Sequence, residues 1–142
     1  MVATTASILD STKKQLGLGA DYDVFDLDIM THINTVFVNL QQLGIGPAEG
    51  FAIEDAEATW DTFLGPNPSP LFNLVKSYIV FKVKLAFDPP QQSFVIASYE
   101  NQIKELEFRM LILREELLET VSGVTTPVLP LVDSEEVDGG GN

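Results

Sequence analysis

Four aspartates, Asp21, Asp23, Asp26 and Asp28, crowd one short stretch, and closely spaced carboxylates are the raw material of a calcium site. The spacing does not suit the ion. An EF-hand loop needs alternating ligands, a glycine at the sixth position and a glutamate at the twelfth, and the twelfth residue counted from Asp21 is His32. These acids fit better at the positive end of a helix that starts near them. His32 is the only histidine and lies beside Ile29 and Ile33. The chain has no cysteine, and no serine or lysine stands in a recognised nucleophile motif, so His32 reads as structural rather than as a general base. GIGPAEG, residues 44–50, is rich in glycine but lacks both the dinucleotide-binding spacing and the Gly-Lys-Ser/Thr ending of a phosphate loop, and reads as a turn between helices. Lys76, Lys82 and Lys84, with Tyr78 and Phe81 among them, are too few for a nucleic-acid patch. No constellation of nucleophile, base and oxyanion donors can be assembled, so the reading is of a protein that is not an enzyme and uses no cofactor or metal.

Composition agrees. Eight Lys and Arg stand against twenty-one Asp and Glu, a formal charge of −13 over 142 residues, which argues against binding nucleic acid by neutralising phosphates and points to protein partners. Mean hydropathy is nevertheless slightly positive, implying more apolar surface than a small monomer easily buries, and hence self-association. MVATTASILD lacks the basic start and apolar run of an export signal, and the most apolar stretch, residues 78–87, is interrupted by Lys82 and Lys84 and falls well short of the ~20 residues that span a bilayer. No membrane role is expected.

The elements that must position these residues are helical. Thr4 or Thr5 is placed to cap a short, peripheral helix carrying Ile8, Leu9, Thr12 and Leu16, ended by Gly17. Apolar residues at three-and-four spacing predict a second helix from Asp23 to Leu43, and residues 51–53 then suit a brief β segment. Asp55 is a candidate N-cap for a short helix bearing Trp60, Phe63 and Leu64. Ser69-Pro70 is a helix start, but residues 79–87 fit strand alternation as well as helical spacing; length and the start signal favour a helix from Leu71 to Phe87. A last helix, capped by Ser93 and running to about Thr120, carries Ile96, Tyr99, Ile103, Leu106, Met110, Leu113 and Leu117 as a heptad seam, suited to bundle packing or to an interface between chains. Between the two stands FDPPQQS, residues 87–93. Phe87, Asp88, Pro89, Pro90, Ser93 and Phe94 form a stiff elbow there, with the two phenylalanines placed to pack across it. The fold class is therefore mainly α, a small helical bundle over residues 1–123. Residues 124–142 form an acidic tail, extended or disordered alone, whose Val128, Leu129 and Leu131 are candidates to dock on a neighbour.

FDLDIMTHINTVFVNLQQLGIGP, WDTFLG, NLVKSYIVFKVKLAFDPPQQSF and QIKELEFRM, within residues 4–115, resemble the head-tail connector, or adaptor, proteins of tailed, siphovirus-type phages. The resemblance implies a virion neck protein made in the bacterial cytoplasm. Its subunits would form a homo-oligomeric ring, commonly a dodecamer, that binds the portal protein, receives a downstream neck or tail protein, and lets DNA pass without sequence-specific contact. A tail-terminator or other neck protein, and a soluble coiled-coil regulator, are the alternatives.

Overall fold

The computed structural model describes residues 4–66 and 69–122. Five helices make up its regular structure: α1 (Ile8–Gln15), α2 (Asp26–Gln42), α3 (Trp60–Leu64), α4 (Pro70–Phe87) and α5 (Ser93–Ser122). Helix α4 is the hub and packs against α1, α2 and α5, while α1 also packs on α2. One continuous core runs through Ile8, Ile33, Phe37, Trp60, Val75, Ile79 and Met110. Burying a side chain of this size stabilises by roughly 1.5–3 kcal/mol, so the faces that meet at α4 hold the bundle together.

The first helix is capped by Ser7, whose hydroxyl accepts from the Asp10 N–H at 3.1 Å, in place of Thr4 or Thr5. Nor is it peripheral. Ile8, Leu9, Thr12 and Lys13 are buried, and the strand-like segment before them bonds to the start of α3. Ile8 N–H donates to Ala58, Trp60 N–H to Ala6 and Asp61 N–H to Thr4, around an antiparallel bridge between Ser7 and Thr59. Trp60 completes the join by donating its indole N–H to Ser11 Oγ at 3.2 Å.

Helix α2 starts three residues later than Asp23 because Lys13 shapes the chain before it. The fully buried ammonium donates to the Ala20 carbonyl at 3.0 Å and lies 2.7 Å from Asp26, holding residues 20–26 in turns that delay the helix. The Asp26 contact is an ion pair outside hydrogen-bonding geometry. Asp26 and Asp28 do occupy the positive first turn of α2. At the other end, Ile45 N–H donates to Leu40 and Gly44 N–H to Gln41, a paired closure that requires the positive φ of Gly44 and buries Ile45 beside Leu40. Gly46 is constrained by space as well as by φ, since a Cβ there would stand 2.4 Å from the Phe63 ring.

No strand forms at residues 51–53. The Asn34 side chain takes the strand's place: its amide donates to the Ile53 carbonyl at 3.0 Å and accepts from the Ile53 N–H at 2.8 Å, so one side chain of α2 satisfies the backbone that a β partner would have met. Asp55 accepts from Glu57 N–H in a local turn, and Thr59 is the residue that precedes α3. Ser69 caps α4 as expected, accepting from Phe72 N–H, with Pro70 first in the helix. Residues 79–87 are helical throughout.

The elbow is built from trans peptides. Asp88 ends α4, its N–H donating to Lys84 and its carboxylate pairing with the Lys84 ammonium at 2.8 Å. Ser93 is the first residue of α5 rather than its cap; the Gln92 carbonyl accepts from Val95 and Ile96. The two phenylalanines do not meet across the corner. Phe87 packs edge-on against Phe25 of the α2 start at 5.3 Å, and Phe94 is 70% exposed. A ring contact with the start of α2 thus braces the elbow from below, leaving Phe94 outside.

Candidate assembly surface

The α4–α5 hairpin brings most of the heptad residues together. Ile103 and Met110 are buried in the core, and Leu106 packs against it. Tyr99 packs edge-on against Phe81 of α4 at 5.0 Å. Ile96 and Leu113 are half-buried, and Leu117 is exposed. The seam is therefore occupied chiefly within the chain, by α4. Val128, Leu129 and Leu131 lie outside the described residues.

Polar contacts fix the hairpin's register. Tyr78 is buried and donates its hydroxyl to Glu107 at 2.7 Å; burial first, then this bond and the charge of Glu107, push its phenol well above the ordinary value. Lys82 lies over the Tyr78 ring and donates to Asn39 at 3.2 Å, tying α4 to α2. Lys76 lies over the Phe72 ring, and partial burial holds its ammonium below the ordinary value. Further along α5, Arg114 lies over Gly44, placing a cation at the negative end of α2, whose own last turn has none.

Outside this packing the hairpin leaves a groove. Three neighbouring depressions of about 410, 420 and 430 Å³ lie along α4 and α5 and share some lining residues. Pro70, Leu74, Ile112 and Leu113 line one of them together with Arg109; the Arg109–Glu105 pair, Ser77, Phe81, Gln102 and Leu106 line the second; Lys76, Ser77, Val80, Phe81 and Tyr99 line the third, with Gln15. Beside the groove α5 exposes Phe108 and Ile112. A second apolar cluster, Tyr22, Val24 and Leu27, is exposed around the start of α2 among the aspartates.

Lys13, Asn34, Tyr78 and Arg114 are residues whose roles sequence reasoning missed. Lys13 alone left a trace, since it adjoins Thr12 and stands four residues after Leu9 on the apolar side of α1. The partners of the others are far off in the chain, beyond the reach of any local pattern.

Of the ion pairs, only that of Lys13 has a buried cation. Four of the eight cations form ion pairs within the chain, and Lys76 and Lys82 lie over rings. Among the described residues no group of acidic and histidine side chains is arranged to hold a metal ion, so Asp21, Asp23, Asp26 and Asp28 form no such cluster, and His32 sits half-buried on α2. Among the same residues no helix is long and apolar enough to cross a membrane. A helical bundle with an acidic exterior, an intramolecular hairpin seam and unpartnered apolar stripes defines a protein built to pack against other proteins.

The family to which that description applies emerges from comparison with known proteins. The model for phage connector proteins matches residues 8–116, from the first core residue of α1 into the last part of α5. The chain belongs to the phage connector protein family, a family of structural virion proteins. No curated protein and no solved structure matches it. Membership carries a structural role in connecting head and tail, association with portal and tail proteins, and a place in the virion neck.

Proposed function

We propose that this chain is the adaptor subunit of the neck: copies form a closed ring beneath the portal, continue the DNA channel toward the tail, and receive the next neck or tail protein. The observation that carries the reading is the family match, which covers α1 to α4 and α5 as far as Glu116. An exposed apolar stripe on α5 supplies surface for contacts between subunits, and heterologous contacts of one kind close into a ring. The charge suits a conduit. With twenty-one Asp and Glu against eight Lys and Arg, carboxylates dominate the exterior, and a wall of that sign repels passing phosphates.

Residues 1–123 serve in this reading as the connector domain and residues 124–142 as an assembly arm. The Phe87 to Phe94 elbow sets the angle at which α5 is presented. The soluble coiled-coil regulator loses its support, because Ile103 and Met110, at the centre of the seam, are consumed by packing within the chain. Electron microscopy of the virion neck tests the proposal. Density for this bundle in a ring directly below the portal is the expected result; density only at the tail side of the neck would make it a tail-terminator instead. A ring with outward carboxylates and a basic lumen would sink the repulsion argument.

A further inference from the structure

Four of the nine large apolar side chains that stand exposed among the described residues fall close together before and at the start of α2: Tyr22, Val24, Phe25 and Leu27. Leu27, 74% exposed, is the most open of the nine. The segment that carries them is nevertheless held firmly. The buried Lys13 ammonium meets it at both ends, through the Ala20 carbonyl and Asp26, and the Phe25 ring stands edge-on to both Tyr22 and Phe87. A buried ammonium is costly to place. Here it fixes a loop whose apolar side chains stay in water, a surface prepared in advance so that little ordering is left to do on contact.

Asp21, Asp23 and Asp28 are exposed among these side chains, and none of the three carboxylates has an ion pair or a hydrogen bond. The apolar surface makes the contact, and this charge decides with whom. The chain's own residues 124–142 hold four acids and no lysine or arginine, so the tail would bring like charge. A second copy would bring −13 in all. Of its eight cations, four are in ion pairs and two lie over rings, so only Lys14 and Lys104, on different helices, are left to meet three aspartates. Nucleic acid fails for its phosphates. What fits is a protein segment in which apolar residues are interspersed with Lys or Arg, giving an apolar centre and a charge-matched rim. The family associates with portal and tail proteins, so a partner other than a second copy is at hand.

We propose that residues 21–28 dock a basic, apolar segment of another virion protein, with Tyr22, Val24 and Leu27 making the contact and Asp21, Asp23 and Asp28 selecting the partner. The proposal rests on the adaptor reading, and deepens it by assigning one of the adaptor's outward contacts to a surface and a chemistry.

The absence of native cysteine makes the test direct. Full-length Val24→Cys protein carries a fluorophore at the new thiol, and the probe is a synthetic amphipathic peptide of leucine and lysine, with a leucine–glutamate peptide of equal length beside it. Saturable binding of the lysine peptide alone is expected. It should weaken about fivefold to tenfold when Asp21, Asp23 and Asp28 are all changed to asparagine, and weaken again as salt is raised. Changing Glu49, Glu54 and Glu57 to glutamine removes as many charges elsewhere and should leave it intact. Equal losses in the two triple variants would reduce the binding to general attraction and overturn the proposal, as would equal binding of the glutamate peptide. In virions, a benzophenone on the Val24→Cys thiol should photo-cross-link to a Lys- or Arg-bearing apolar segment of another protein; links only to a second copy, or only to the chain's own tail, also overturn it. Microscopy of the neck is a separate readout: a ring below the portal without these contacts removes the docking site alone, and these contacts in a chain placed at the tail side remove the adaptor role alone.

Discussion

Helices α4 and α5 are neighbours, both at least half apolar, that do opposite things. Helix α4 is touched on three sides, by α1, α2 and α5, and nearly all its large side chains are buried or half-buried. Helix α5 is far longer, 30 residues against 18, yet packs mainly on α4, and it exposes Phe94, Phe108, Ile112 and Leu117. The difference teaches that in this protein apolar residues have two employments, one to make the subunit and one to offer it to others. Position relative to α4 decides which.

Substitution is the sharpest way to break the comparison. Ile79→Ala, which empties a fully buried position in α4, should cost about 2–5 kcal/mol in urea unfolding, whereas Phe108→Ala in α5 should stay within about 0.5 kcal/mol and weaken assembly seen by light scattering. Equal losses at the two sites would show that α5 is as deeply embedded as α4. Asp26→Ala should come next, at about 3 kcal/mol, because it leaves the buried Lys13 ammonium without its counter-charge. Lys13→Met should cost less, since Asp26 retains access to water. The reverse order would mean that the pair is not what anchors the loop before α2.

Smaller effects probe the contact between the helices. Tyr78→Phe should lose about 1 kcal/mol by removing the hydrogen bond to Glu107. The phenol's value is raised on folding, so its contribution is fully present below the unfolded value of about 10 and is lost as pH climbs beyond it. Unfolding midpoints should therefore fall above about pH 10 in the natural chain, and fall less steeply in Tyr78→Phe. Replacing both Pro89 and Pro90 by alanine should change subunit stability least, by about 0.5 kcal/mol or less, because Phe87 still packs on Phe25. Its effect belongs to assembly: fewer complete rings by negative-stain microscopy. Undiminished rings would mean that the elbow angle does not matter.

How legible this molecule was varies along the same division. The heptad of α5 and the Ser69-Pro70 start of α4 could be read directly, because each is a local signal. The interior of α4 could not be read by period alone. A helix covered on three sides has apolar residues all round, and its stripe disappears into an alternation that also suits a strand. The expected β segment at residues 51–53 failed for a different reason: its extended backbone is real in its needs, but Asn34, nineteen residues away, meets them with one amide. Ser7 took the capping role from Thr4 and Thr5 because the chain there is drawn toward α3 and Pro66, with Thr4 accepting from Asp61 N–H through its carbonyl and donating its hydroxyl to the Pro66 carbonyl. As for the surface, the seam residues were visible in sequence. The groove was not, because it exists only where α4 and α5 lie side by side.

The ion pairs inside the subunit bear on how salt should act. A protein that grips nucleic acid through phosphates loosens as salt rises, because binding releases counterions. Here half of the cations are paired within the chain and acids outnumber bases by twenty-one to eight, so adjoining subunits carry like charge and bringing them together works against repulsion. Raising ionic strength toward 0.15 M shortens the range of that repulsion to about 8 Å, while apolar contacts persist. Assembly of this protein should be favoured by salt, and a dilute, low-salt buffer should hold it apart as single subunits.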